Sequence, residues 1–115
     1  MGIARTHGAH AEQLAAAYLA LIGWTIEARN ARLGGVEVDL VARDGRTTVL
    51  VEVKYRSRPD FGGADAAIDA RKRDRLRRAA LAASGGRECV RIDVLSLEPA
   101  PEGLVLKHHR NAITG

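Results

Sequence analysis

The chain predicts an α/β fold, a mixed β-sheet flanked by helices, on three observations. Apolar residues recur at helical spacing over residues 9–22 and about 69–83. Short alternating runs bounded by Gly, Pro and Asp fill the rest. The second helix separates two of those runs, and a strand–helix–strand connection implies a parallel, right-handed crossover. The expected order is helix, three strands, helix, two strands (αβββαββ). At 115 residues the chain reads as a single domain, residues 1–115. A chain of that length buries roughly two-thirds of the surface it exposes unfolded.

The first helix places Ala11, Leu14, Ala15, Tyr18 and Ile22 on one stripe and ends at Gly23, the favoured residue just past a helix. Glu12 lies about 100° around the axis from Ala11, at the border of that stripe. It reads either as a residue reaching the edge of the sheet or as a solvated first-turn glutamate favoured by the helix dipole. Trp24, Ile26 and Ala28 alternate with Thr25, Glu27 and Arg29 in a first strand, and residues 30–35 read as a loop ending in Gly34-Gly35.

Residues 36–43 and 48–55 are two strands around Asp44-Gly45, a strong hairpin signal. With a two-residue loop, Arg43 is expected opposite Arg46. One face of the ribbon then carries Val38, Leu40, Ala42, Val49, Val51 and Val53, and the other Glu37, Asp39, Glu52 and Lys54. Asp39 and Glu52 become diagonal neighbours, with Glu37 directly across from Glu52. Two carboxylates about 7 Å apart repel by roughly 2.4 kcal/mol at an effective dielectric of 20. Lys54 neutralises only one charge. A hard divalent cation would absorb the rest, because Mg²⁺ needs only one or two protein carboxylates plus water and phosphate. Such an ion polarises phosphoryl oxygens and generates hydroxide near neutral pH, with Lys54 placed to orient the water. The same alternation also describes a solvated sheet face with cross-strand ion pairs.

Residues 57–65, with Pro59 and Gly62-Gly63, form a loop that follows Arg56 and contains Arg58. Asp69 reads as the N-cap of the second helix, whose buried stripe is Leu76, Ala79, Ala80 and Ala83. Six cations crowd the eight residues 71–78, against one acid, Asp74. Like charges at helical i,i+4 spacing repel, which favours a phosphate-binding helix over an ordinary solvated one. Val90, Ile92 and Val94 mark a fourth strand, residues 99–103 a turn, and residues 104–107 a fifth strand. Asp93, alternating with apolar neighbours, receives no role. His7, His10, His108 and His109 read as solvated, with His108 or His109 able to face a substrate. No spacing gathers them into a zinc site.

A net charge of +4 suits an anionic partner. Aromatics make up only 3% of the chain, too few for a base-stacking platform, so backbone recognition is favoured. The single cysteine, Cys89, excludes an internal disulfide and falls in an apolar pattern that predicts burial. The longest apolar run, residues 14–22, is too short to span a bilayer, and cytoplasmic residence without membrane contact is the expectation.

Asp39, a spacer, then Glu52-Val53-Lys54 resembles the Asp…Glu-x-Lys signature of the PD-(D/E)XK nuclease superfamily. The chain is also similar to the uncharacterised bacterial YraN-like family. That family's Gly-Glu-Ile-Asp-Leu-Ile-Ala strand corresponds to Val36-Glu37-Val38-Asp39-Leu40-Val41-Ala42, and its Val-Glu-Val-Lys-x-Arg strand to Val51-Glu52-Val53-Lys54-Tyr55-Arg56. A helix glutamate (Glu12), Arg29-Asn30 and Asn111-Ala112 follow the same pattern, so the resemblance spans about residues 8–113. Val36 and Ala11 stand where glycine is usual and Ala70 where proline is common; none of these is a candidate ligand. The resemblance implies a restriction-endonuclease-like fold in which Glu12 completes the acidic cluster.

Together these readings lead to a metal-dependent nuclease-like protein acting on DNA, including branched or structured DNA. Asp39 and Glu52, with the Val53 carbonyl, would hold Mg²⁺ (or Mn²⁺), Lys54 would position water, and Glu37 and Glu12 would tune the site. Arg56, Arg58, Arg71, Lys72, Arg75 and Arg78 would grip phosphates, and the small chain suggests a homodimer or a protein partner. The alternatives are a non-catalytic nucleic-acid-binding module of the same fold, or a protein whose basic helix docks on an acidic partner.

Overall fold

A computed structural model describes residues 3–56, 70–85 and 89–113. The elements run α1 (Ile3–Leu21), β1 (Thr25–Leu33), β2 (Val36–Asp44), β3 (Thr47–Tyr55), α2 (Ala70–Ser84), β4 (Cys89–Ala100) and β5 (Gly103–His109). They form one five-stranded sheet in the order β1-β2-β3-β4-β5. All neighbours are antiparallel except β3 and β4, which run parallel with α2 between them in sequence. A parallel pair needs such a crossover because its two strands start at the same end of the sheet. The αβββαββ order and the mixed sheet are therefore as the sequence predicts.

Each sheet face buries one helix. Ala15, Ala16 and Leu19 of α1 pack on Leu40, Ala42, Val49, Val51 and Leu95. Leu76 and Ala79 of α2 pack on Val41, Leu50, Ile92 and Val94. The buried stripe of α1 is rotated from the one expected: Ala11, Ala15, Ala16 and Leu19 are inside, while Leu14 and Ile22 are exposed. The small alanines let the helix approach the sheet closely, and Glu12 and Ala16, four residues apart, share its inward edge. Cys89 is exposed rather than buried, because it opens β4 at the sheet's end. Asp69, the expected N-cap, and Arg58 lie outside the described residues.

Residues 30–35 are not a loop. Strand β1 continues to Leu33, pairing Ala31 with Val38 and Leu33 with Val36, and only Gly34 and Gly35 turn. Gly34 has φ +58, and a Cβ there would sit 3.0 Å from Ala82 Cβ on α2. The site therefore requires glycine twice, for its left-handed backbone and for close helix approach. Gly34→Ala is expected to cost about 1–2 kcal/mol or more, read from urea denaturation midpoints.

The β2–β3 hairpin turns one residue later than expected. Asp44 pairs Thr47 and Arg43 pairs Thr48, not Arg46, so Gly45-Arg46 forms the loop. Gly45 has φ +61 while Arg46 is not among the residues with positive φ, the pattern of a type II′ turn. Because both strands shift by one, face parity survives while the partners change. The ladder ends at Leu40↔Val51, one step short of Asp39 and Glu52, so these two residues lie just beyond the last paired step of the hairpin.

Strict alternation also fails at Asp39. Val36 and Val38 join the core beneath α2, whereas Leu40 and Ala42 join the one beneath α1. Across from Asp39, between the pairs Arg29↔Leu40 and Ala31↔Val38, Asn30 takes a left-handed φ of 49. The β1–β2 ribbon changes face at this point. Val38 is therefore not on the apolar face with Leu40, as alternation predicts, and Asp39 sits at the crossover.

Candidate active site

Asp39 bends back across the opening between β2 and β3, where its Oδ2 accepts a hydrogen bond from the Val53 N–H at 2.8 Å. The two carboxyls expected to converge do converge: Asp39 and Glu52 share a side-chain hydrogen bond. Glu52 is only 4% exposed. Burial, then the hydrogen bond to Asp39 and its charge, push the Glu52 carboxyl up to about 8, against a smaller downward pull from Lys72. At neutral pH Glu52 therefore keeps its proton, the outcome expected when a buried acid meets a like charge.

Lys72 Nζ lies 2.9 Å from Glu52 Oε2. The contact is a charge pair outside good hydrogen-bond geometry, so Oε2 is buried without a directed hydrogen bond. Lys72, expected among the outward phosphate ligands, thus reaches from α2 into the carboxylate site. Its position had a signal: Lys72, Leu76, Ala79 and Ala83 fall on one helix stripe, of which Leu76 and Ala79 are buried.

Glu12 enters from α1. Burial and the Asp39 charge raise its pKa, and Glu37 adds to the rise; a hydrogen bond from Asn30 and the Arg29 charge oppose it. Glu12, Asn30, Glu37, Asp39 and Glu52 therefore share one electrostatic environment, assembled from α1 and three strands. Lys54 is half-buried on β3, two residues from Glu52, and makes no ion pair among the described residues. The Arg56 N–H donates to the Leu97 carbonyl at 2.9 Å, pinning the end of β3 to β4. Arg71, Arg75 and Arg78 are exposed along α2.

Among the described residues no group of three or more His, Cys, Asp or Glu side chains is arranged to hold a metal ion. The donor set is instead two hard carboxylates in contact, one with a buried oxygen lacking a hydrogen bond. That set fits Mg²⁺ or Mn²⁺ completed by water and phosphate, and does not fit an all-protein zinc cage.

A second polar cluster leaves no signal in the sequence. Asp93, fully buried, accepts from Arg91 Nε at 2.8 Å and Nη2 at 3.1 Å, from the Asn111 N–H at 2.9 Å and from His108 Nε2 at 2.7 Å. His108 is not solvated as expected: its side chain is 7% exposed, and Nδ1 lies 2.8 Å from the Tyr18 hydroxyl. Trp24 packs edge-on to His108 and is flanked by the guanidiniums of Arg91 and Arg110 at 5.2 and 5.3 Å from its ring centroid. The cluster ties α1, β4, β5 and the C-terminal segment together.

A mixed αβββαββ sheet with helices on opposite faces and an Asp…Glu-x-Lys set on consecutive strands defines a restriction-endonuclease-like, PD-(D/E)XK-like fold. The chain belongs to the uncharacterised protein family UPF0102, whose model matches residues 11–97. It is similar to a UPF0102 protein of Nocardia farcinica, 41% identical over 110 residues that cover 92% of this chain and 87% of that one. A Symbiobacterium thermophilum relative is 42% identical over 106 residues, covering 88% and 89%. One from Halorhodospira halophila is 51% identical over 78 residues, covering 68% of this chain. The match spans 64% of that relative, just under two-thirds of its length. Among the described residues no helix is long and apolar enough to cross a membrane.

Proposed function

We propose that this protein is a metal-dependent nuclease that hydrolyses phosphodiester bonds in DNA, branched or structured DNA included. The observation that carries the reading is the Asp39–Glu52 carboxyl pair, held in contact although Glu52 is buried. Keeping two acids together costs stability, and a dication-binding role explains why the fold retains them. Asp39 and Glu52, with the Val53 carbonyl, would hold Mg²⁺ or Mn²⁺, which supplies phosphoryl polarisation and an acidified water. Lys54 orients that water and stabilises charge developing on the phosphate. Glu12 and Glu37 set the local potential. Arg56, Arg58, Arg71, Arg75 and Arg78 position the backbone by salt-sensitive contacts. A homodimer or a protein partner would supply recognition area beyond this small chain, and the cytoplasm is where it would meet DNA.

The Lys72–Glu52 ion pair favours a second reading, in which a built-in ammonium replaces the dication and the protein binds nucleic acid without turnover. Calorimetric titration with Mg²⁺ and Mn²⁺ separates the two. Heat in the parent and none in Asp39→Asn supports the nuclease, whereas a silent parent removes the metal from the reading. Nicking of supercoiled and four-way DNA should fall about 10²–10³-fold in Lys54→Ala. Equal rates in parent and variant would place the activity elsewhere.

A further inference from the structure

A cavity of about 360 Å³ lies between the β1–β2 turn and α2, lined by Arg32, Gly35, Val36, Glu37, Lys72, Arg75 and Arg78. Four cations face it against one carboxylate. Lys72, Arg75 and Arg78 recur every third residue and so share a helix face, and Arg32 meets them from β1. Among the described residues no acid forms an ion pair with Arg32, Arg75 or Arg78. Arg32 is held in place by donating from Nη1 to the Gly35 carbonyl at 3.1 Å. Converging guanidiniums repel one another, and an anion with several oxygens relieves that repulsion through charge-assisted, bidentate bonds.

The cavity adjoins the carboxylate pair, because Lys72 lines it while lying 2.9 Å from Glu52 Oε2. Beside the cavity the β1–β2 turn packs tightly on α2: a Cβ on Gly34 would meet Ala82 Cβ at 3.0 Å and the Arg78 carbonyl at 3.4 Å. A guanidinium cluster is matched by a tetrahedral group with several free oxygens, and a terminal phosphate monoester offers one more of them than an internal phosphodiester does.

We propose that this cavity binds the terminal phosphate monoester of a nucleic-acid strand, held by Arg32, Arg75 and Arg78 beside the carboxylate pair. The inference rests on the nuclease reading and deepens it: the substrate is an end, a nick or a flap, not uninterrupted duplex. A doubly charged monoester also suits three guanidiniums better than a singly charged internal phosphodiester does.

The test is binding of the full chain, in EDTA, to fluorescent nicked duplexes identical except for a 5′-phosphate, a 3′-phosphate or hydroxyls at the nick. One phosphorylated end should bind about ten- to hundredfold more tightly than the hydroxyl form, the scale of one or two charge-assisted hydrogen bonds. The preference should shrink to less than about twofold in Arg32→Gln and in Arg75→Gln. Arg75 is on an exposed helix face, so its variant guards against misfolding at the turn. Equal affinity for all three ends, with nicking by the parent intact, would overturn the inference alone. No DNA binding in any arm would overturn the nuclease reading along with it.

Discussion

Glu52→Gln is expected to leave the protein folded, inactive and, at alkaline pH, more stable than the parent. In the unfolded chain this carboxyl ionises near 4.5; in the fold, burial and Asp39 push it up to about 8. Between those values the folded state holds more protons than the unfolded state, so parent stability falls as pH rises through that window and levels off above it. Glutamine keeps the shape, can donate to Asp39 as the protonated acid does, and never ionises. Stability of the variant minus that of the parent should therefore grow between about pH 4.5 and 8, by a few kcal/mol in denaturant titrations. The upward-shifted Glu12 acts in the same direction but is present in both proteins and cancels in the difference. Adding Mg²⁺ should stabilise the parent and not the variant. Nicking should drop at least about a hundredfold. A stability difference that is flat from pH 5 to 9 would mean that Glu52 does not titrate there, and the crowding of the two acids would lose its significance.

Asp93→Ala should be the most destabilising single substitution considered, at about 3–5 kcal/mol. The carboxylate is fully buried, and its removal leaves His108 Nε2 and the Asn111 N–H without their acceptor and Arg91 with the longer contact to Asp44 at 3.7 Å. Burial by itself would raise the Asp93 pKa. Hydrogen bonds from Arg91, Asn111 and His108, with the Arg91 charge, outweigh that and hold it below the ordinary carboxylate value. Its stabilising contribution is thus present above about pH 4 and lost as pH falls through the depressed value. A fall in melting temperature of more than about 10 °C is expected at pH 7. A loss under about 1 kcal/mol would show that the cluster is dispensable.

The carboxylate pair was legible because strand alternation and a hairpin signal are local: Asp39 and Glu52 needed only a turn near Gly45 to come together. The precise partner of each was not, since Asp44-Gly45 and Gly45-Arg46 place the glycine equally well and differ only in which loop position it fills. Periodicity points to the wrong stripe of α1 because Leu14 and Ile22 are more apolar than Ala16, while the sheet selects for small residues that permit close approach. The face change at Asn30 and Asp39 left no periodic trace, being a single left-handed residue in an otherwise ordinary strand. His108 and Asp93 are fifteen positions apart on neighbouring strands, and no spacing rule joins them.

From the order of residues alone follow the element sequence, the mixed sheet, the basic helix and the meeting of Asp39 with Glu52, because each depends on local pattern, on the crossover that a helix between two strands imposes, or on charge composition. Which cation answers Glu52, how Glu12 and Asn30 join the site, and what encloses the arginine-lined cavity were decided only when α1 and α2 docked on opposite faces. Those contacts link segments dozens of residues apart, and their energies exist only once the sheet has brought them together.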